Sequence, residues 1–419
     1  MKPGLVIALG TMTLIGPACA ATLCVDAGAT LCYATIGAAI THASSGDTIQ
    51  VAQGTYKEDV VIGKSLSLIG KNAANTIIDA IGQANGIYVD GLNNPGLSGV
   101  VVQGFTVENA DFEGILVTNT SRVTIADNRV ANNNKSLDAT NLVCPGIPSF
   151  ETAEDMDCGE GVHIIAVDHS TLTGNLIEHN AGGILITDET GETHDNLIVN
   201  NITRNNLLDC GITVPSHPRS PTTTPGPPFG IHHNTITGNE SSGNGVLGQG
   251  AGIGVFAFLP GARVSDNLIA NNRITNNGLP GIAFHAHSPG ENLNNNQLIG
   301  NYIAGNGADT EDAETPGPTG INIFGASAIT GTVIQENIIK NEAVDIAIHT
   351  PAAVAAHNNN LNGEGIGLAN LGDATVDAIN NWWGCAQGPN TRGCSSTQGA
   401  DITFTPWLSK PAVPNGAGQ

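Results

Sequence analysis

Positive charge is scarce in this chain. Lys and Arg number 14 against 37 Asp and Glu over 419 residues, giving a net charge of −23. Nucleic acid needs clustered cations to neutralise its phosphates, so the composition argues against such a partner. A long polyanion would also be hard to attract without a local basic patch. Charged residues make up only 12% and aromatics 4%, yet 40% of the chain is apolar. That balance excludes a disordered chain and leaves ample material for a core. Beyond the first twenty residues no apolar run reaches the ~20 residues that span a bilayer. No Cys-x-x-Cys pair occurs, which argues against cysteine-ligated metal.

The first twenty residues read as a secretory signal. Lys2 gives the positive start, 4-GLVIALGTMTLIG-16 the apolar segment, and Ala18-Cys19-Ala20 a small-residue cleavage site. Cleavage after Ala20 makes the mature protein secreted or periplasmic, where cysteines pair. Proximity suggests Cys24–Cys32, Cys144–Cys158 and Cys385–Cys394, with Cys210 left as a buried thiol. A loop of ~15 residues closed in this way gains about 3 kcal/mol.

A short strand with a leading Gly recurs along the chain. Its copies include 86-GIYVD-90, 114-GILVT-118, 161-GVHII-165, 183-GILIT-187, 252-GIGVF-256, 281-GIAFH-285 and 320-GINIF-324, with 345-DIAIH-349 lacking the Gly. A second unit built on Asn lies between them, as in 196-NLIVNN-201 and 267-NLIANN-272. Intervals of 22 to 29 residues with short strands and no helical period describe one coil of a parallel β-helix. Each coil leaves an apolar face that only stacking can bury. Leucine-rich repeats have this length, but their Leu spacing and helical segment are missing. The expected fold is therefore all-β, a right-handed single-stranded parallel β-helix, with a signal over 1–20 and one domain over 21–419. Within it, residues 21–45 form a cap, about 46–380 the coils, and 381–419 the closing segment.

Residues 33-YATIGAAITHAS-44 place Ile36, Ala39, Ile40 and Ala43 at helical spacing, which predicts a short helix over the first coil. Together with 46-GDTIQVAQGTYKEDVVIGKSLSLIG-70, this opening resembles that of pectin methylesterases and other secreted right-handed β-helix proteins of the pectate-lyase-like superfamily. The closing 381-NWWGCAQGP-389 and 404-FTPWL-408 resemble the NosD-like copper-protein maturation group. The likeness implies architecture more than activity. The catalytic segments of pectin methylesterases and the Gly-His-Gly pattern of polygalacturonases are not found, and 230-GIHH-233 is a superficial match. A pectate-lyase mechanism implies a Lys or Arg base, and Arg219 is the only such residue near the face described next.

Counting from each leading Gly, offsets one and three point inward and offsets two and four outward. In the later coils offset four reads Thr187, Pro215, Phe256, His285, Phe324 and His349. Offset two reads Leu185, Thr213, Gly254, Ala283, Asn322 and Ala347, and offset six reads Glu189, His217, Phe258 and His287. The expectation is an outward face with a floor of small residues and walls of His and Phe. Insertions at 135–160, 215–230, 240–250 and 304–318 all adjoin this strand, as the walls of a binding cleft would.

On this face His285 and His349 are candidate general acid and base, assisted by Glu189 and His217. Phe256, Phe258, Phe324 and Asn322 are candidate substrate contacts. His285 and His287 form a possible metal pair for copper or zinc, completed by His349, His217 or an acidic loop residue. The acidic run Asp309, Glu311, Asp312 and Glu314 reads as a solvated loop, or alternatively as a Ca²⁺ site. His194 and His232 read as turn residues. Outward rings can equally pack beneath an overhanging loop.

Three functions remain open on the sequence. The first is a secreted carbohydrate-active lyase, epimerase or hydrolase acting on an extracellular glycan. The second is a NosD-like periplasmic copper- or zinc-binding protein. The third is a non-enzymatic surface or adhesive β-helix.

Overall fold

The computed structural model describes residues 20–134, 148–151, 160–247, 249–362 and 365–413. The signal segment up to Cys19 and the expected Cys144–Cys158 pair lie outside them. Among the described residues the strands form three sheets of 14, 15 and 11 members. One coil contributes Leu268–Ala270, Arg273–Thr275 and Ile282–Ala286, and the next contributes Gln297–Ile299, Tyr302–Ala304 and Thr319–Gly325. Each strand pairs in parallel with its counterpart one coil on. The result is a right-handed parallel β-helix, the hand that parallel crossovers take.

Alternation along the strands fills the interior. Ile253, Val255, Ile282, Phe284, Ile321 and Ile323 point inward and belong to one continuous buried core. The corners explain the abundance of Asn. Asn271 and Asn276 adopt left-handed backbone, with φ of 56° and 57°, a region Asn tolerates better than most residues. The Asn that follows such a turn points into the stack. Asn272 donates to Asn301 at 3.0 Å, Asn301 to Asn337 at 3.0 Å and Asn337 to Asn359 at 2.9 Å. A second ladder runs through Asn244, Asn277 and Asn306 and ends on Glu342, whose carboxylate accepts from Asn306. These buried amides satisfy one another, which keeps the corners dry at no cost in unpaired groups.

The helix expected over the first coil is Ile36–His42, burying Ile36, Ala39 and Ile40. Its exposed ends are held by charge. Glu58 accepts from the Ile36 and Gly37 N–H groups at 2.8 and 2.9 Å. Lys64 donates to the carbonyls of Ile40, Thr41 and Ala43. Both signs complement the helix dipole. At the other end, Ser396–Gln398 and Ile402–Thr403 still join the sheets within the segment expected to close the stack.

Cys24–Cys32 and Cys385–Cys394 are bonded, which marks an extracytoplasmic protein. Cys210 is buried, and its sulfur accepts from the Ala251 N–H at 3.1 Å. Among the described residues no helix is long and apolar enough to cross a membrane.

Candidate functional site

The outer face of the 15-stranded sheet carries the unusual side chains. Parallel pairing sets Phe256 beside His285, His285 beside Phe324, and Phe324 beside His349. The same register aligns Gly254, Ala283, Asn322 and Ala347 beneath them. Neighbouring rings touch all along the row, with centroids 5.2, 5.9 and 5.2 Å apart. Phe258 and His287 stack at 5.5 Å one position further along. Gly254 is required here, because a Cβ would come within 2.3 Å of the Phe256 ring lying over it.

The loop 304–318 folds back over this row, which fits the covered reading of His285 and corrects the solvated reading of Asp309. His285 is not an open outward ring: it is buried, with Nε2 2.9 Å from Asp309 Oδ2 and Nδ1 3.8 Å from Asp312 Oδ2. Asp309 is not solvated either. It is buried, and hydrogen bonds between its backbone and Thr315 close the loop. Burial opposes a charge on Asp309, but His285 and the Asp312 N–H hold its carboxyl below the usual range. His287 is likewise held below an ordinary imidazole, by burial and by His285. Phe258 stays open, with 40% of its surface exposed.

Earlier coils of the same face carry a buried carboxylate–histidine chain. Glu113 lies 3.1 Å from His163 Nδ1, and His163 Nε2 lies 2.9 Å from the Thr187 hydroxyl. One coil further, Glu189 lies 2.8 Å from His217 Nδ1. Beside it Asp188 accepts from the His217 N–H, the Ser216 hydroxyl and the Gly230 N–H, which ties down the Pro-rich loop 215–230. The Ser220 N–H then donates to the Glu189 carbonyl, so this loop overhangs the pair. Glu151, from the insertion after Asn134, completes the group. Its ligand oxygen lies within 4.8 Å of those of Glu113 and His163.

Burial among like charges divides these carboxyls. Glu151 is pushed up to about 8, by burial and then by Glu113 and Glu189 despite the attraction of His163. Asp188 rises to about 7, mainly through burial. For Glu189 burial is outweighed by His217 and His163, which hold it below an ordinary glutamate. For His163 burial is outweighed by Glu113, Glu151 and Glu189, which raise it. The carboxyls of this group are thus pushed in opposite directions, Glu151 and Asp188 up and Glu189 down, the kind of division acid–base catalysis uses.

Two sets here have donors suited to a divalent ion: His285, His287 and Asp312, and Glu113, Glu151 and His163. The expected metal pair thus gains its third donor from the acidic loop. His349 is held off by the Phe324 ring between it and His285, and His217 lies on the far side of the Phe256 coil. Of the expected substrate contacts, Asn322 forms part of the floor, with both amide atoms buried and without hydrogen-bond partners. The sequence reading missed His163, Glu113, Glu151 and Asp188. His163 occupies offset two of 161-GVHII-165, so carrying the columns one coil earlier would have found it. Glu151 sits in an insertion where no register applies.

Residues 70–256 match the family model described as a right handed beta helix region. Among solved structures, the chain is similar to the Dettilon tailspike protein, with 12% identity and a TM-score of 0.54 over 88% of this chain and 63% of that one. Geobacillus virus E2 ORF18 gives 14% and 0.51 over 81% and 56%. The catalytic domain of a GH87 alpha-1,3-glucanase in complex with nigerose gives 15% and 0.54 over 92% and 67%. The chain thus spans less than two thirds of the length of either of these first two proteins. Likeness at these identities is one of fold. No curated protein matches the sequence.

Proposed function

We propose that this chain is a secreted or periplasmic carbohydrate-active enzyme that binds a glycan along the outer face of its 15-stranded sheet. The observation that carries this reading is the continuous row of rings through Phe256, His285, Phe324 and His349. That row leads coil by coil to the carboxylate–histidine group around Glu189 and His217. Aromatic faces bind the apolar faces of sugars, and the carboxylate–histidine group supplies acid–base chemistry. In this reading Glu151 donates a proton to the leaving oxygen, and Glu189 with His217 forms the basic partner. Apart from its histidines, the group around Glu189 is acidic, with Glu113, Glu151 and Asp188. Arg219, the nearest cation by sequence, lies over the Phe229 ring and donates to Pro227. The substrate is accordingly a neutral or amino-sugar glycan rather than a polyuronate. A glucanase catalytic domain shares the fold, which is consistent with this class.

A panel of neutral, amino-sugar and uronate polysaccharides, read by released reducing ends and by ultraviolet absorbance of unsaturated products, tests the proposal. Turnover is expected on a neutral or amino-sugar polymer and is expected to fall at least about a hundredfold in Glu189→Gln. No turnover on any polymer, or full activity in the variant, would overturn it.

A second reading rests on His285, His287 and Asp312, whose donor atoms lie within 4.8 Å of one another. Two imidazoles and one carboxylate suit zinc or copper and leave open positions. Elemental mass spectrometry of the mature protein beside a His285→Ala/His287→Ala variant decides it: metal lost in the variant supports a metal-dependent or metal-handling protein.

A further inference from the structure

A second histidine group lies away from the groove, on the edge where each coil leaves the 15-stranded sheet. Asp168 ends the strand Val162–Asp168 and pairs with His194, His194 pairs with His232, and His232 pairs with Ser265. The residue after each of these, namely His169, Asp195, His233 and Asp266, takes left-handed backbone with φ of 49°, 55°, 56° and 59°. One turn geometry is thus repeated in four coils, and it stacks the side chains in two adjacent columns. His194 lies flat on His232, with centroids 5.1 Å apart and planes 2° apart. His169 meets His194 edge-on at 5.9 Å.

The hydrogen bonds in this group resemble those of metal-binding histidines. His169 Nδ1 lies 2.7 Å from Asp168, and His194 Nδ1 lies 2.8 Å from Asp195. A carboxylate at Nδ1 holds the proton there and leaves Nε2 with its lone pair exposed, as the carboxylate partners of ligating histidines do. His232 and His233 face each other Nδ1 to Nδ1 at 2.8 Å, a contact that requires at least one neutral ring. His232 Nε2 is buried and makes no hydrogen bond, and Glu192 is 3.8 Å away from it. The donor atoms of His169, His194 and Asp195 lie within 4.8 Å of one another. His169 is more than half exposed, so an ion can reach its Nε2 from solvent while Asp168 holds Nδ1.

We propose that His169, His194 and Asp195 bind one divalent transition ion, with Asp168 as a positioning residue for His169. Two imidazoles select zinc, copper or nickel over calcium and magnesium, which take oxygen ligands. Three protein donors on an open edge leave positions for water, so the ion would exchange with solvent. This site is independent of the groove and of any metal bound at His285 and His287.

Zinc titration of chelator-stripped mature protein by calorimetry tests the proposal, beside His169→Ala/His194→Ala and His285→Ala/His287→Ala. Circular dichroism establishes that each variant keeps its β-structure, and Asp168→Asn serves as a milder probe. The expected result is one zinc equivalent that disappears in the edge variant and survives in the groove variant. Asp168→Asn is expected to weaken that equivalent about ten- to a hundredfold. Unchanged stoichiometry in a folded edge variant overturns the proposal. So does the absence of any zinc equivalent that survives loss of His285 and His287.

Discussion

Glu189 and His217 lie one coil and 28 residues apart and meet at 2.8 Å, with both side chains buried. Stacking alone brings them together, since each sits at the same offset from the start of its strand. Burial makes the pair costly to break. Glu189→Leu leaves His217 without its carboxylate and should destabilise the protein by about 3–5 kcal/mol. Replacing both, as Glu189→Leu/His217→Phe, should recover most of that loss while turnover stays abolished. Chemical denaturation midpoints and glycan turnover, measured on the same samples, separate the two effects. A double variant as unstable as the single one would show that the pair is not the source of the cost.

In the proposed mechanism Glu151 sets the pH dependence. Raised to about 8, it carries its proton at neutral pH. If it is the acid, kcat/KM should fall as pH rises through about 8 and lose this limb in Glu151→Gln. Glu151→Gln should also lower turnover at neutral pH by at least about a hundredfold. A rate profile unchanged in the variant would remove Glu151 from the chemistry.

The architecture was legible because its signals repeat. Nine copies of one strand put Phe256, His285, Phe324 and His349 at the same offset, and the sheet pairs them as that count implies. The recurring Asn units stack in the same way, coil on coil. What a coil count could not supply was the cover. Asp309 reaches His285 from an insertion of irregular length, and burial of that pair depends on how the loop folds back. Glu151 was hidden for the same reason. Insertions have no period, so their contacts have no signature in the sequence.

Glu342 links an Asn ladder to stability. It takes the place of an Asn at the end of its column, and burial raises it to about 7 from an ordinary 4.5. The folded state therefore holds this proton more tightly than the unfolded chain. The stability it contributes is fully present below about pH 4.5 and is lost as pH rises to about 7. Glu342→Gln keeps an acceptor for Asn306 without the charge. The melting temperature of the variant should match wild type at pH 4.5 and exceed it at pH 8. Equal melting temperatures at both would contradict the assignment.

Asn301 bridges three coils, accepting from Asn272 and donating to Asn337 and to the Ile269 carbonyl. Asn301→Ala strands buried donors and acceptors in a dry corner and should cost about 3 kcal/mol. Urea unfolding checks the value. A loss below about 0.5 kcal/mol would mean that water replaces the amide.

The groove itself is tested most directly by a crystal structure of the protein with an oligosaccharide of whichever glycan it degrades, using the Glu189→Gln variant to prevent turnover. The account expects sugar rings against Phe258 and Phe324, with the bond to be broken lying toward Glu151 and Glu189. A sugar bound on another face of the helix, or electron density confined to the N-terminal coils, would contradict it.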